Sequence, residues 1–170
     1  MAVHLRNDPG GQGARLDTRG VIITCPSCGQ NNRLPFGTLN KSIRCAVCKT
    51  MLSAPASPIE ATASAAFRAA WSESALPIIV DFWAPWCGPC RMVAPEIERV
   101  AESLKGQFLV LKVNTDALTD IAEEFRIRSI PTLAVIFKRH ELGRVAGARS
   151  AADIKAFADQ TLAESERRAS

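Results

Sequence analysis

Six cysteines hold the covalent chemistry open to this chain, and they fall into three Cys-x-x-Cys pairs with none left over: Cys25/Cys28, Cys45/Cys48 and Cys87/Cys90. A cysteine acts as its thiolate, either attacking a disulfide or ligating a soft metal ion. Spacing alone does not separate the two uses; context does. The third pair stands in Ala84-Pro85-Trp86-Cys87-Gly88-Pro89-Cys90-Arg91, directly after the apolar run Ile78-Ile79-Val80-Asp81-Phe82-Trp83. That run reads as a buried central strand, and Val93, Ile97, Val100, Ala101 and Leu104 beyond it recur at helical spacing. A helix N-terminus offers unpaired N–H groups and the positive end of the helix dipole, and both stabilise a thiolate. Cys87, first and at the exposed end of the helix, is the expected nucleophile, and Cys90, one turn further in, the expected resolving thiol. Pro89 restricts the turn between them, where its missing N–H costs nothing.

The other four cysteines lack that context. Cys25-Pro26-Ser27-Cys28-Gly29 and Cys45-Ala46-Val47-Cys48 are sixteen residues apart, the spacing of a Cys₄ zinc site. Four thiolates close a tetrahedral shell with no open position, so one zinc per chain would be structural. Residues 21–52 hold few large apolar side chains and need such a staple to fold. Arg33, Lys41, Arg44 and Lys49 can offset the negative charge of a metal–tetrathiolate centre. Two further redox dithiols are the alternative reading. No pattern calls for an organic cofactor.

Two further positions bear on the redox pair. Asp81 lies inside its apolar strand, where burial should raise its pKa and let it exchange a proton with Cys90. Lys112, within Val110-Leu111-Lys112-Val113, is the expected moderating partner; a purely structural ion pair is the bland alternative. Ile130-Pro131-Thr132 opens a strand, and from the residues alone a trans bond before Pro131 is expected.

The elements that must position these groups divide the chain. Residues 1–20, polar and Gly-rich, read as a disordered leader without a secretory h-region. Residues 21–52 form the cysteine module, 53–57 a small-residue linker, 58–165 a domain with a core of its own, and 166–170 a tail. Within 58–165 helices are expected from Ala63 to Ser74, from Gly88 to about Lys105, around Leu118–Phe125, and from a Ser150/Asp153 capping box onward. Pro95 should kink the second of them. Strands are expected at Ile78–Trp83, Phe108–Val113, Thr132–Phe137 and Leu142–Ala146. The fold class is α/β, a central mixed sheet flanked by helices and preceded by a small zinc-ribbon-like module.

Val80 to Arg91, Lys112-Val113-Asn114-Thr115-Asp116 and Ile127-Arg128-Ser129-Ile130-Pro131-Thr132 together resemble the thioredoxin family over about residues 58–165. With the cysteine module in front, the chain is similar to its zinc-containing, thioredoxin 2 type branch. The resemblance implies a thioredoxin fold, Cys87 as nucleophile, Cys90 as resolving thiol, Asp81 as buried proton-transfer group and Pro131 in cis. It implies a substrate groove at Trp86, Gly88, Pro89, Ile130, Pro131 and Gly147. The partners it implies are disulfide-containing client proteins and an NADPH-dependent thioredoxin reductase. One departure is the hairpin Lys138-Arg139-His140-Glu141, which lacks the Asn-Gly often found there.

Composition narrows the field. The net charge of +4 is mild and the basic residues are scattered, which argues against nucleic acid. No stretch is apolar for long enough to span a membrane. Paired cysteines used for metal and redox chemistry suit a reducing compartment, the cytoplasm. A rival class is a zinc-ribbon adaptor or redox-sensing module on a thioredoxin-like scaffold.

Overall fold

A computed structural model describes residues 13–170. The expected leader therefore lies mostly outside the described residues, but its end does not fit that expectation. Arg15–Asp17 is a strand, β1, paired antiparallel with β2 (Gly20–Thr24), which pairs in turn with β3 (Asn31–Pro35). Asp17 makes the turn: one carboxylate oxygen accepts the N–H groups of Arg19 and Gly20, and the other accepts Nε of Arg33 at 2.8 Å. Gly20 is obligatory here, because a Cβ would sit 2.2 Å from the Leu34 carbonyl oxygen. A 3₁₀ turn at Phe36–Thr38 leads into the ribbon β4 (Ile43–Arg44) and β5 (Met51–Leu52).

The main sheet has five strands in the order β10-β9-β7-β8-β6: β6 (Ile59–Glu60), β7 (Ile78–Trp83), β8 (Leu109–Asn114), β9 (Thr132–Phe137) and β10 (His140–Ala146). β6, β8 and β7 run parallel, β9 runs antiparallel to β7, and β10 antiparallel to β9. β6 was not expected. It sits in the loop after the linker and fixes one edge of the sheet.

Each face carries two helices, because alternate residues of the buried strands are apolar on both sides. Ile78, Val80 and Phe82 pack with Phe67 and Ala70 of α1 (Ser64–Glu73) and Ile121 of α3 (Thr119–Glu124). Ile79, Val110 and Leu133 pack with Val93, Ile97 and Val100 of α2 (Gly88–Ser103) and Ile154 and Ala158 of α4 (Ala151–Ala169). α2 stays one helix through the exposed Pro95. Ser150 caps α4 by accepting the Asp153 N–H at 3.2 Å. α4 runs to Ala169, so the expected tail at 166–170 is helical; Arg167 and Arg168 in its last turn complement the helix dipole. Lys138 and Arg139 both take positive φ, 49° and 68°, so the hairpin turns without Asn-Gly at a cost of about 1 kcal/mol per residue.

The division into two cores needs correction. Val21, Leu34, Phe36, Leu39 and Ala54 belong to the same buried cluster as Phe67, Ala70 and Leu76. The Ala75 N–H also donates to the Phe36 carbonyl at 3.0 Å. Among the described residues of the module, Cys25, Cys45 and Leu52 form a cluster apart from that shared core. The module is thus two-sided: its sheet is seated on α1, and its buried cysteines form a second cluster, with Ile23 and Ile43 packed against both.

Candidate functional site: a helix-capping disulfide and a four-cysteine cluster

β7 delivers the chain to Cys87, the N-cap of α2, whose Sγ accepts the backbone N–H of Cys90 at 3.2 Å. Cys87 and Cys90 are joined as a disulfide with their Cα atoms 5.3 Å apart. The Cys87 N–H donates to Ala84 at 3.2 Å, and Arg91 Nη2 donates to the Pro85 carbonyl at 2.8 Å, so the loop is clamped from both ends. Cys87 was expected exposed, yet only 3% of its surface is open. The Ile130 carbonyl oxygen lies 3.8 Å from its Sγ and covers part of it.

That carbonyl belongs to a cis Ile130–Pro131 bond, where the residues alone favoured trans. Thr132 Oγ1 donates to Ser129 at 2.6 Å beneath the bend, and the Gly147 N–H donates to the Pro131 carbonyl at 2.9 Å with Gly147 at φ 92°. Gly88, Pro89 and Trp86 are exposed around the disulfide, while Pro131 itself is buried. Trp86 shows 68% of its surface, held by a 2.9 Å bond from Nε1 to Asp116. Asp116 as the anchor of Trp86 was missed. Its signal was an acid at the end of a strand, common on any surface.

Asp81 is 1% exposed, and its Oδ1 has no hydrogen-bond partner. Loss of solvent pushes its pKa up to about 6, opposed by the positive charge of Lys112 and reinforced by the negative charge of Glu60. Lys112 stands opposite Asp81 in the β7–β8 register. Strand alternation puts Asp81 on the same face as Ile79, which is the α2 face. Glu60, also missed, is half-buried and is described further below.

The other four cysteines sit in two matching turns. The Gly29 N–H donates to Cys25 at 2.9 Å and the Lys49 N–H to Cys45 at 3.2 Å, with Gly29 and Lys49 both at positive φ. Their Sγ atoms lie within 4.8 Å of one another, with 3.5 Å between Cys25 and Cys48 and 3.6 Å between Cys28 and Cys45. Four Zn–S bonds of about 2.3 Å in a tetrahedron space sulfurs by about 3.8 Å, so the donor set fits zinc. Fixed donors are aimed at the sulfurs. Backbone N–H groups of Cys48 and Val47, with Asn32 Nδ2, lower Cys45 to about 6. The Gln30 N–H favours the Cys28 thiolate, but desolvation and the neighbouring sulfurs outweigh it and hold Cys28 up to about 11. Sulfurs this close carry four charges only around a cation. Arg33, Lys41, Arg44 and Lys49 do not all face that cluster: Arg33 pairs with Asp17, and Lys49 Nζ donates to Ala46 at 2.9 Å.

A disulfide between two cysteines one turn apart at a helix N-terminus has the geometry that thiol–disulfide exchange requires. Known proteins agree. The thioredoxin family profile matches residues 58–160. Thioredoxin C-3 of Corynebacterium nephridii is 38% identical over 143 residues, which are 84% of this chain and 96% of that one. Thioredoxin 1 of Synechococcus elongatus is 47% identical over 88 residues, 52% of this chain and 82% of that one. A solved mutant thioredoxin from Halobacterium salinarum superimposes with a TM-score of 0.59 at 24% identity, covering 65% of this chain and 95% of that one, a likeness of fold. The chain belongs to the thioredoxin family, whose members are protein-disulfide oxidoreductases. The match to the Corynebacterium protein is too long to fit in residues 58–170, so it extends into the cysteine module. Among the described residues no helix is long and apolar enough to cross a membrane.

Proposed function

We propose that this chain is a protein-disulfide reductase of the zinc-containing, thioredoxin 2 type, working through Cys87 and Cys90. The observation that carries the reading is the Cys87–Cys90 disulfide at the start of α2, with Cys87 Sγ accepting the Cys90 N–H. In the reduced protein the same N–H and the helix dipole stabilise the Cys87 thiolate. That thiolate attacks a client disulfide, forming a mixed disulfide and releasing one client sulfur as a thiolate, which takes a proton from solvent. Cys90 then gives its proton to the ionised Asp81 carboxylate and attacks Cys87 Sγ. The second client sulfur leaves, and the Cys87–Cys90 disulfide remains. Two electrons and two protons restore the dithiol, supplied by an NADPH-dependent thioredoxin reductase.

Trp86, Gly88, Pro89, Ile130, Pro131 and Gly147 line the approach, and the free edge of the cis-proline loop suits an extended client segment. Gly and Pro between the cysteines, with no His to stabilise the thiolate further, favour a reductant over an oxidant. The four-cysteine cluster would hold one zinc, which supplies cross-linking and no chemistry, and thiolates kept for metal suit the cytoplasm. The rival adaptor reading loses support because Phe36, the module's only aromatic side chain, is 1% exposed and unable to stack on a base.

Trapping tests the reading. Cys90→Ser should capture clients as mixed disulfides from a reducing cytoplasmic extract, and Cys87→Ser should capture none. The parent should reduce insulin with NADPH and a thioredoxin reductase. Elemental analysis of protein purified under reducing conditions should find one zinc per chain; an absence of zinc rejects the metal site alone, and an absence of insulin reduction rejects the reductase.

A further inference from the structure

Three strands place three charged groups in one row. Lys112 on β8 is opposite Glu60 on β6 in one register and opposite Asp81 on β7 in the other. Paired residues of parallel strands point to the same side, so all three share the α2 face, the face from which Cys90 is reached. One ammonium therefore stands between two carboxylates. It closes on neither: among the ion pairs of the described residues none involves Lys112, whose Nζ lies 4.7 Å over the Trp83 ring. Trp83 also holds Glu60, its Nε1 lying 3.1 Å from both carboxylate oxygens. Glu60 is thus fixed by a donor of its own, whereas Asp81 Oδ1 is buried with none.

We propose that Glu60 is a positioning residue for the Cys87/Cys90 exchange, sharing Lys112 with Asp81 and so keeping the Asp81 carboxyl able to hold a proton. The proposal rests on the disulfide-reductase reading and adds the device that sets its proton acceptor. Had Lys112 only Asp81 to face, the two would form an ordinary buried ion pair and Asp81 would be a poor base. With Glu60 on its other side, the ammonium's field is divided and a second negative charge faces Asp81. Burial acts on Glu60 as well: loss of solvent raises its pKa, against the Trp83 N–H and Lys112. The remaining neighbours of Asp81 add no charge. β9 sets Leu133 opposite it, α2 faces the sheet with Val93, Ile97 and Val100 and carries Cys90 in an uncharged disulfide, and α4 faces it with Ile154 and Ala158.

The test is Glu60→Gln in the full chain, since the amide oxygen still accepts the Trp83 N–H. With Cys87 and Cys90 oxidised, the carboxyl carbon resonance of Asp81 reads its titration directly. The proton affinity of Asp81 should fall roughly tenfold, and Lys112→Gln should move it the opposite way. In stopped-flow exchange from pH 5 to 8, the acid limb of the Glu60→Gln rate profile should move to lower pH by the same factor at an unchanged plateau. A structural role alone would lower the plateau and the melting temperature and leave the limb in place. Glu60→Met, uncharged and of similar length, serves if the glutamine variant fails to fold. An unmoved or raised Asp81 titration in the folded variant overturns the proposal. If Asp81→Asn leaves the acid limb intact, Asp81's part in the reductase mechanism fails instead, while the titration still reads the Glu60 coupling.

Discussion

The same four-residue spacing serves two different ends in this chain. At Cys87/Cys90 the intervening Gly-Pro starts a helix, and the backbone N–H of the second cysteine points at the first sulfur. At Cys25/Cys28 and Cys45/Cys48 the chain turns back on itself, and the residue after each pair adopts positive φ. The helix brings two sulfurs together on the side of the sheet that carries the buried Asp81. The turns bring four together, with fixed N–H donors, the Thr50 hydroxyl and the Leu52 side chain around them. Cysteine spacing sets what two sulfurs can reach; the backbone that follows decides whether they meet each other or join a second pair.

The sharpest way to break this comparison is to remove one sulfur from each region. Cys87→Ser should drop insulin reduction to background with zinc retained. Cys25→Ser should lose most of the zinc yet keep its exchange rate at 25 °C. Equal loss of activity in both would show that the two regions are one chemical unit.

A second substitution tests how far the regions are mechanically joined. Phe36 is 1% exposed and packs in the cluster that contains Phe67 and Ala70. Phe36→Ala should cost about 3–5 kcal/mol and lower a single thermal transition for the whole chain. A separate early transition, with the Cys87 region untouched, would show that the module and α1 are independent after all.

The smallest effect belongs to Asp81. Its pKa is about 6 in the folded chain, against about 3.9 when unfolded, so the native state binds the extra proton between those values. Stability therefore falls as pH rises from about 4 through 6, and the charged Asp81 burdens the fold above that window. Asp81→Asn should be more stable than the parent by about 2–3 kcal/mol at pH 7.5 and nearly equal at pH 4. Denaturant titrations at both pH values measure this. A gain that does not depend on pH would place its origin in packing, not charge.

What was legible in the sequence was whatever rests on local pattern. The unbroken apolar run at 78–83 and the cysteine contexts gave the sheet centre and the dithiol, and Asp81 stood out as one polar residue in that run. What was not legible depends on distant pairing. β6 is two residues long and its partner, Leu111-Lys112, lies about fifty positions on, so neither the strand nor Glu60 had a periodic signal. β1 hides in a Gly-rich segment because its turn is built by the Asp17 side chain and its sheet by Arg33. The shared core was missed because Phe36 and Leu39 seem too few to matter until α1 is set beneath them. The cis bond at Pro131 reads as trans from the residues alone, since most such bonds are.

The two-sided module carries a consequence for the order in which the chain is assembled. A ribosome releases Cys25 to Cys48 well before Phe67 and Ala70, and the cysteine turns need only residues 23–52 to close. Val21, Leu34, Phe36 and Leu39 have only one another, Val21 facing Leu34 across β2 and β3, until Phe67 and Ala70 of α1 emerge. The cysteine turns can therefore close first, tying a short loop at small entropic cost and holding those four side chains on one surface. Residues 64–73 then arrive at an apolar surface whose members are already synthesised, so the order of synthesis lets the module offer the face on which the first helix of the catalytic domain is laid.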